Sequence, residues 1–192
     1  MRGTRAQSAE NRDRIIAAAA QAFRERGFDG IGVAELMRSV GLTHGGFYGH
    51  FGSKEELMAL ACRRAVADML GDWRARTAAA PGDPAATIVA PYLAAGHRDA
   101  PGGGCLMAAL GPEAARAAPP VRAAVTECLG DVLDTIAGQM PGDDPRARRD
   151  DAIRLFASLV GAMVVARAAD DPALSDEVLE VVRAGIGRSS RI

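Results

Sequence analysis

The chain of 192 residues is 48% hydrophobic and nearly neutral, with 23 Lys and Arg against 24 Asp and Glu. That balance describes a folded chain with a sizeable core and excludes disorder outside the ends. The polar N-terminus MRGTRAQSAENRDR lacks the apolar h-region of a signal peptide, and no stretch approaches the roughly 18 to 20 apolar residues that span a bilayer, so a cytoplasmic protein with no membrane contact is expected.

Strand signals are nearly absent: aromatics are 4% of the chain, period-2 alternation is missing, and Ala, Leu, Arg and Glu fill the long segments, so the fold is read as all-α. A first helix is expected over about 11–26, with Ile16, Ala19, Ala20 and Phe23 on one face and Gly27 as its stop. A short second helix, about 33–40, follows the loop FDGIG. A third is placed at about 43–50, and a fourth runs from Ser53 towards Arg76, opened by the Ser53 and Glu56 capping box. The stretch TAAAPGD, 77–83, reads as a break. Beyond it helices are expected at about 84–98, 104–117, 119–140, 145–169 and 172–187, giving about nine in all. Three of these follow Asp-Pro pairs, Asp83-Pro84, Asp144-Pro145 and Asp171-Pro172, in which Asp can cap the free N–H groups and Pro suits the first helical position. The segment from Pro120 is amphipathic, with Val121, Val125, Leu129, Leu133 and Ile136 recurring every three or four residues.

Charge is unevenly spread. Residues 1–64 hold 10 Lys and Arg against 7 Asp and Glu, and residues 65–192 hold 13 against 17, so the N-terminal third is the better match for a polyanion. Within it, VAELMRSVGLTHGGFYGHF has the spacing of a DNA-binding helix-turn-helix. Val33, Leu36, Met37, Val40, Leu42 and Phe47 can lock two helices together. Gly41 allows the turn, Thr43 can cap the second helix while facing phosphate, and Gly45 and Gly46 keep that helix slim against a groove.

The run IIAAAAQAFRERGFDGIGVAELMRSVGLTHGGFYGHFGSKEEL, through its Gly-aromatic, Gly-Leu-Thr, Gly-x-aromatic-Tyr-x-His-Phe and Ser-Lys-Glu-Glu-Leu elements, resembles the TetR family of bacterial transcriptional regulators. The resemblance implies a three-helix DNA-binding domain over 1–53 and a helical effector-binding and dimerisation domain over 54–192. It places Thr43, His44, Gly45 and Gly46 near base edges or the adjacent backbone, and Tyr48, His50 and Lys54, the only lysine in the chain, on phosphates. Each has a plainer reading: His50 and Tyr48 could lie buried in the seam under the fourth helix, and Lys54 could be a solvated neighbour of the capping box. The chain departs from the family pattern at Ile31-Gly32, where Thr-Ser is usual and a hydroxyl cap is lost. Gly49 stands where a bulkier residue is common, and His44 where a permanent cation often sits. The expected partners are double-stranded DNA with a palindromic operator, a second copy of the chain, and a small-molecule effector.

In that architecture the last two long helices form a four-helix bundle with the partner subunit. AIRLFASLVGAMVVARAA is apolar on several faces and rich in small residues, and Leu174, Val178, Val181 and Val182 supply a matching stripe. The uncommon side chains of the middle region, Trp73, Tyr92, His97, Cys105 and Met107, suit either a core or an apolar pocket with a few polar groups. RDA after His97 reads as an exposed helix end.

Cys105 follows three glycines and stands at a helix start, where the dipole and free N–H groups would lower its pKa, with Arg98 close enough in sequence to help. The piece GGGCLMAALGPE is similar to a branch of the family that senses electrophiles or oxidants. Cys105 is therefore either a sensor thiol or a small buried hydrophobe in a glycine turn, while Cys62 and Cys128 are expected in the core. The three cysteines are odd in number and lack a CxxC motif, so neither a disulfide framework nor a zinc site is expected, and no cofactor is foreseen. The expected function is a repressor, not an enzyme, released from DNA by an effector or by modification of Cys105. The alternative is a cysteine enzyme acting on electrophiles, for which His97 is the one histidine near in sequence to serve as base.

Overall fold

The computed structural model describes residues 5–80 and 85–189, all helical or connecting, with no strand among them. Helix α1, Arg5–Arg26, buries Ile15, Ile16, Ala19, Ala20 and Phe23. It begins six residues before the expected start because its first turns carry no apolar stripe; Gln7 there bonds along the exposed surface to Glu10 and Asn11. Gly27, at φ +82°, ends it.

Helix α2, Val33–Ser39, starts at Gly32, whose missing side chain leaves the cap without a hydrogen bond. It stops in a Schellman turn, where Gly41 at φ +75° donates to Arg38 O (3.0 Å) and Leu42 donates to Met37 O (2.9 Å). Arg14 of α1 fixes that turn by donating to Val40 O at 2.7 Å. The expected third helix is a six-residue 3-10 helix, His44–Gly49, not an α-helix. Three of its six residues are glycine, which costs α-helix about 1 kcal/mol each relative to alanine. Thr43 precedes it without making the expected side-chain cap.

Helix α3, Lys54–Ala79, is capped as its sequence requires: Glu56 N donates to Ser53 Oγ (3.1 Å), and the Glu56 carboxylate accepts from Gly52 N (2.7 Å). It runs three residues past the expected end and packs on α1 and on α7. The Asp83-Pro84 pair lies outside the described residues. The single helix expected over 84–98 is instead a π turn at Ala85–Val89, a short α4 at Ala90–Tyr92, and α5 at Ala95–Asp99. Pro91 has no N–H to offer residue 87, and the chain turns again at Ala94.

A 3-10 turn, Pro101–Gly103, leads into α6, Leu106–Ala114, with Cys105 at its N-cap and Pro112 inside. Helix α7, Pro119–Ala137, buries Val121, Val125, Leu133 and Ile136 of the expected stripe, with Leu129 half-buried. Helices α8, Pro145–Ala168, and α9, Pro172–Ser189, begin at Asp144 and Asp171, whose carboxylates accept from Arg146 N and Ala173 N, each at 2.9 Å. They pack against each other. Along one side α8 leaves Ile153, Ala157, Gly161, Val164 and Ala168 exposed, and α9 leaves Leu174 and Val181 exposed beside half-buried Val178.

Candidate functional site

The 3-10 helix separates two neighbouring rings. Phe47 is buried against Phe51, with ring centroids 5.4 Å apart, whereas Tyr48 next to it is 69% exposed. Tyr48 is thus not a seam residue. Thr43, His44, Gly45 and Gly46 share its exposed surface, and the His44 and Tyr48 rings stand edge to face at 6.4 Å. A Cβ at position 45 or 49 would meet nothing within 4 Å, so no internal contact calls for glycine there. His50 is half-buried, its ring 6.2 Å from Phe51. Lys54, in the first turn of α3, has Nζ 3.7 Å from the fully exposed carboxylate of Asp29. A pair so open to solvent contributes little and leaves the ammonium free to exchange partners.

The second group of residues forms a cavity of about 210 Å³ between α3, α4, α5 and the N-terminus of α6. Trp73, Tyr92, His97 and Cys105 all line it, with Met69, Asp72 and Arg76. Met107 does not; it faces a tight seam with Val125, Leu129 and Phe156.

His97 is half-buried and doubly bonded, although α5 ends just beyond it with Asp99 and Ala100 exposed. Its Nδ1 lies 2.6 Å from Tyr92 O, and its Nε2 accepts from Cys105 N at 3.0 Å. A carbonyl only accepts and a backbone N–H only donates, so the ring is neutral with its proton on Nδ1. The Tyr92 ring meets it edge-on, 4.5 Å between centroids. Both ring nitrogens are committed, which leaves His97 no free lone pair for a neighbouring thiol. Position 104 must be glycine for this contact, since a Cβ there would stand 2.6 Å from His97 Nε2.

Cys105 is 1% exposed, and burial pushes its thiol pKa up. The Tyr92 hydroxyl and the N–H groups of Ala108 and Met107 oppose that shift without reversing it. The lowered pKa expected from its place at a helix start is therefore corrected: the dipole acts, but loss of water outweighs it. Arg98 is corrected too. It turns away to Asp99, Ser175 and Asp176, while the cation acting on the thiol is Arg167 of α8, which donates to Arg98 O (3.0 Å) and His97 O (2.7 Å). Burial also raises the thiols of Cys62 and Cys128, to about 12 and about 11.

Burial, backed by the charge of Arg167, lowers the pKa of His97 against a rise from the Tyr92 bond. The unfolded chain then takes up this proton at a higher pH than the folded one. Stability is held above the unfolded value of about 6.5 and falls as pH drops below it. His97→Asn is expected to flatten the difference in urea midpoint between pH 7.5 and pH 5.5; an unchanged difference would assign it to other groups.

The wall carrying Cys105 also touches the helix-turn-helix unit. Arg24 of α1 donates through both Nε (2.7 Å) and Nη2 to Gly102 O, and Phe28 N donates to the Glu113 carboxylate of α6 at 2.7 Å. Among the described residues no group of three His, Cys, Asp or Glu is placed to hold a metal ion, and no helix is long and apolar enough to cross a membrane.

No curated protein matches the chain in sequence. Over most of its length it superposes on solved structures that share little of its sequence. The reduced form of Escherichia coli NemR has 23% identity and a TM-score of 0.75, covering 92% of this chain and 95% of that one. A TetR-family regulator from Cytophaga hutchinsonii has 22% identity and a TM-score of 0.77, covering 95% and 96%. A TetR regulator from Legionella pneumophila has 14% identity and a TM-score of 0.77, covering 98% and 99%. Residues 15–61, which run from the middle of α1 through α2 and the 3-10 helix into the start of α3, match the family described as bacterial regulatory proteins, tetR family. The chain thus carries, over residues 15–61, a match to the DNA-binding domain of the tetR family of bacterial regulatory proteins, within a fold shared with solved structures of TetR-family regulators.

Proposed function

We propose that the chain is a cytoplasmic, homodimeric repressor that binds a palindromic operator and leaves it when a small molecule occupies the cavity or Cys105 is modified. Residues 1–53 form the DNA-reading domain and 54–192 the effector-binding and dimerisation domain. Thr43, His44, Gly45 and Gly46 approach base edges or the adjacent backbone, and Tyr48, His50 and Lys54 bind phosphates. Trp73, Tyr92, His97 and Cys105 are the effector residues.

The observation that carries this reading is the direct joint between cavity wall and DNA-reading unit, Arg24 to Gly102 O and Phe28 N to Glu113. A ligand that shifts residues 101–105 changes the support of α1, and so the population of dimers whose two recognition segments match successive major grooves. The committed nitrogens of His97 count against a cysteine enzyme with that histidine as base.

The test is a mobility-shift assay on DNA flanking the gene, at several salt concentrations, with and without a small electrophile, comparing the parent with Cys105→Ser. Salt-sensitive binding by both and release of the parent alone is the expected result. Release of both would remove the thiol from the mechanism, and absence of binding would remove the repressor.

A further inference from the structure

Tyr92 is 4% exposed, and its hydroxyl is buried without a well-formed hydrogen bond. A phenol in that position has given up its water without gaining a strong acceptor in return. Its polar neighbour is the Cys105 thiol, a weak acceptor. Both residues line the cavity.

The rest of the lining restricts what can carry that acceptor. His97 is neutral by its hydrogen bonds, burial keeps Cys105 a thiol, and the two charged wall residues, Asp72 and Arg76, face each other at 3.8 Å. The wall therefore carries no net charge. Trp73, Tyr92 and Met69 supply its apolar wall. An apolar cavity of about 150 Å³ admits benzene, and this one, at about 210 Å³, has space for one ring and a short substituent.

We propose that the cavity binds a small, neutral, flat carbonyl compound the size of one ring, its oxygen accepting the hydrogen bond of the Tyr92 hydroxyl. The proposal names the effector class and rests on the regulator reading above. Binding is non-covalent, with Trp73 and Tyr92 as walls and Cys105 a contact.

Trp73 is the only tryptophan in the chain, so its fluorescence reports this cavity alone. The full-length protein is titrated with acetophenone, whose ketone quenches indole, and ethylbenzene, which has the ring without the oxygen, is measured by displacement. The parent is expected to bind acetophenone about tenfold more tightly than ethylbenzene, the size of one good buried hydrogen bond. Tyr92→Phe is expected to remove that preference by weakening acetophenone alone, and Cys105→Ala to retain it. Equal affinities in the parent, an unaltered preference in Tyr92→Phe, or its loss in Cys105→Ala would each overturn the proposal. A mobility shift on the same preparations separates the two readings. DNA binding without the ketone preference removes only the ligand class, whereas loss of DNA binding in the parent removes the regulator.

Discussion

Val164→Asp combined with Val181→Asp is expected to yield a monomer that binds operator DNA at least a hundredfold more weakly than the parent. Val181 is 58% exposed and Val164 39% in the single chain, large apolar groups uncovered on adjacent helices. Around them Ile153, Ala157, Gly161 and Leu174 extend the same surface, mixing small residues that permit close backbone approach with larger ones that fill the gaps. Two carboxylates per subunit buried across a twofold axis would lose their water close to one another. Neither side chain is in the core, so the helical content of each subunit should persist. Loss of the second copy removes one half-site contact, and with it the multiplied affinity of a bivalent reader. Sedimentation and DNA titration on one preparation check both parts. A stable dimer would displace the interface from this face, and a monomer with parental affinity would sever dimerisation from DNA binding.

The second large effect is expected at Gly30, where the constraint is close approach and not a positive φ. The chain leaves α1 at Gly27 and folds back so that Gly30 crosses its end. A Cβ at position 30 would lie 1.8 Å from the backbone oxygen of Arg26. That atom belongs to the last turn of a helix and cannot swing aside as a side-chain tip can. Gly30→Ala is expected to cost about 2–4 kcal/mol, within the range of strained and overpacked substitutions, and to lower Tm by roughly 5–15 °C. Gly71→Ala supplies the contrast. It lies in exposed α3 with nothing within 4 Å of an added methyl, and should stabilise by about 0.5–1 kcal/mol. Thermal melts of the two should move in opposite directions. A Gly30→Ala variant as stable as the parent would mean that the 27–32 loop is free to move away.

Local order was legible in the residues wherever one short stretch decides it. The Ser53 and Glu56 box, the Asp144 and Asp171 caps, the glycine turns at 27 and 41, and the stripe of α7 are each set by side chains a few positions apart. The family pattern around Phe47 and Tyr48 marked an exposed surface, and four of the five unusual residues of the middle region meet in one cavity. Two kinds of information were hidden. Local competition was one: glycines in His44–Gly49 and Pro91 between 85 and 99 replace smooth helices with tighter or wider turns. Long-range burial was the other. Whether Cys105 is a thiolate depends on how much water the fold removes, and its cationic neighbour, Arg167, is 62 positions away in sequence. Arg167 and Arg24 bind backbone carbonyls, which every residue carries, so no residue type at positions 97, 98 or 102 announces the contact.

On the proposed function, the attachment of Arg24 to Gly102 O would make effector reception and its transmission separately redesignable. A main-chain oxygen is the same whatever side chains surround it, so Trp73, Met69 or Tyr92 could be exchanged to accept a different inducer while the joint to α1 keeps its chemistry. The scaffold therefore lends itself to a biosensor in which specificity is rewritten in the cavity and the output module is left untouched.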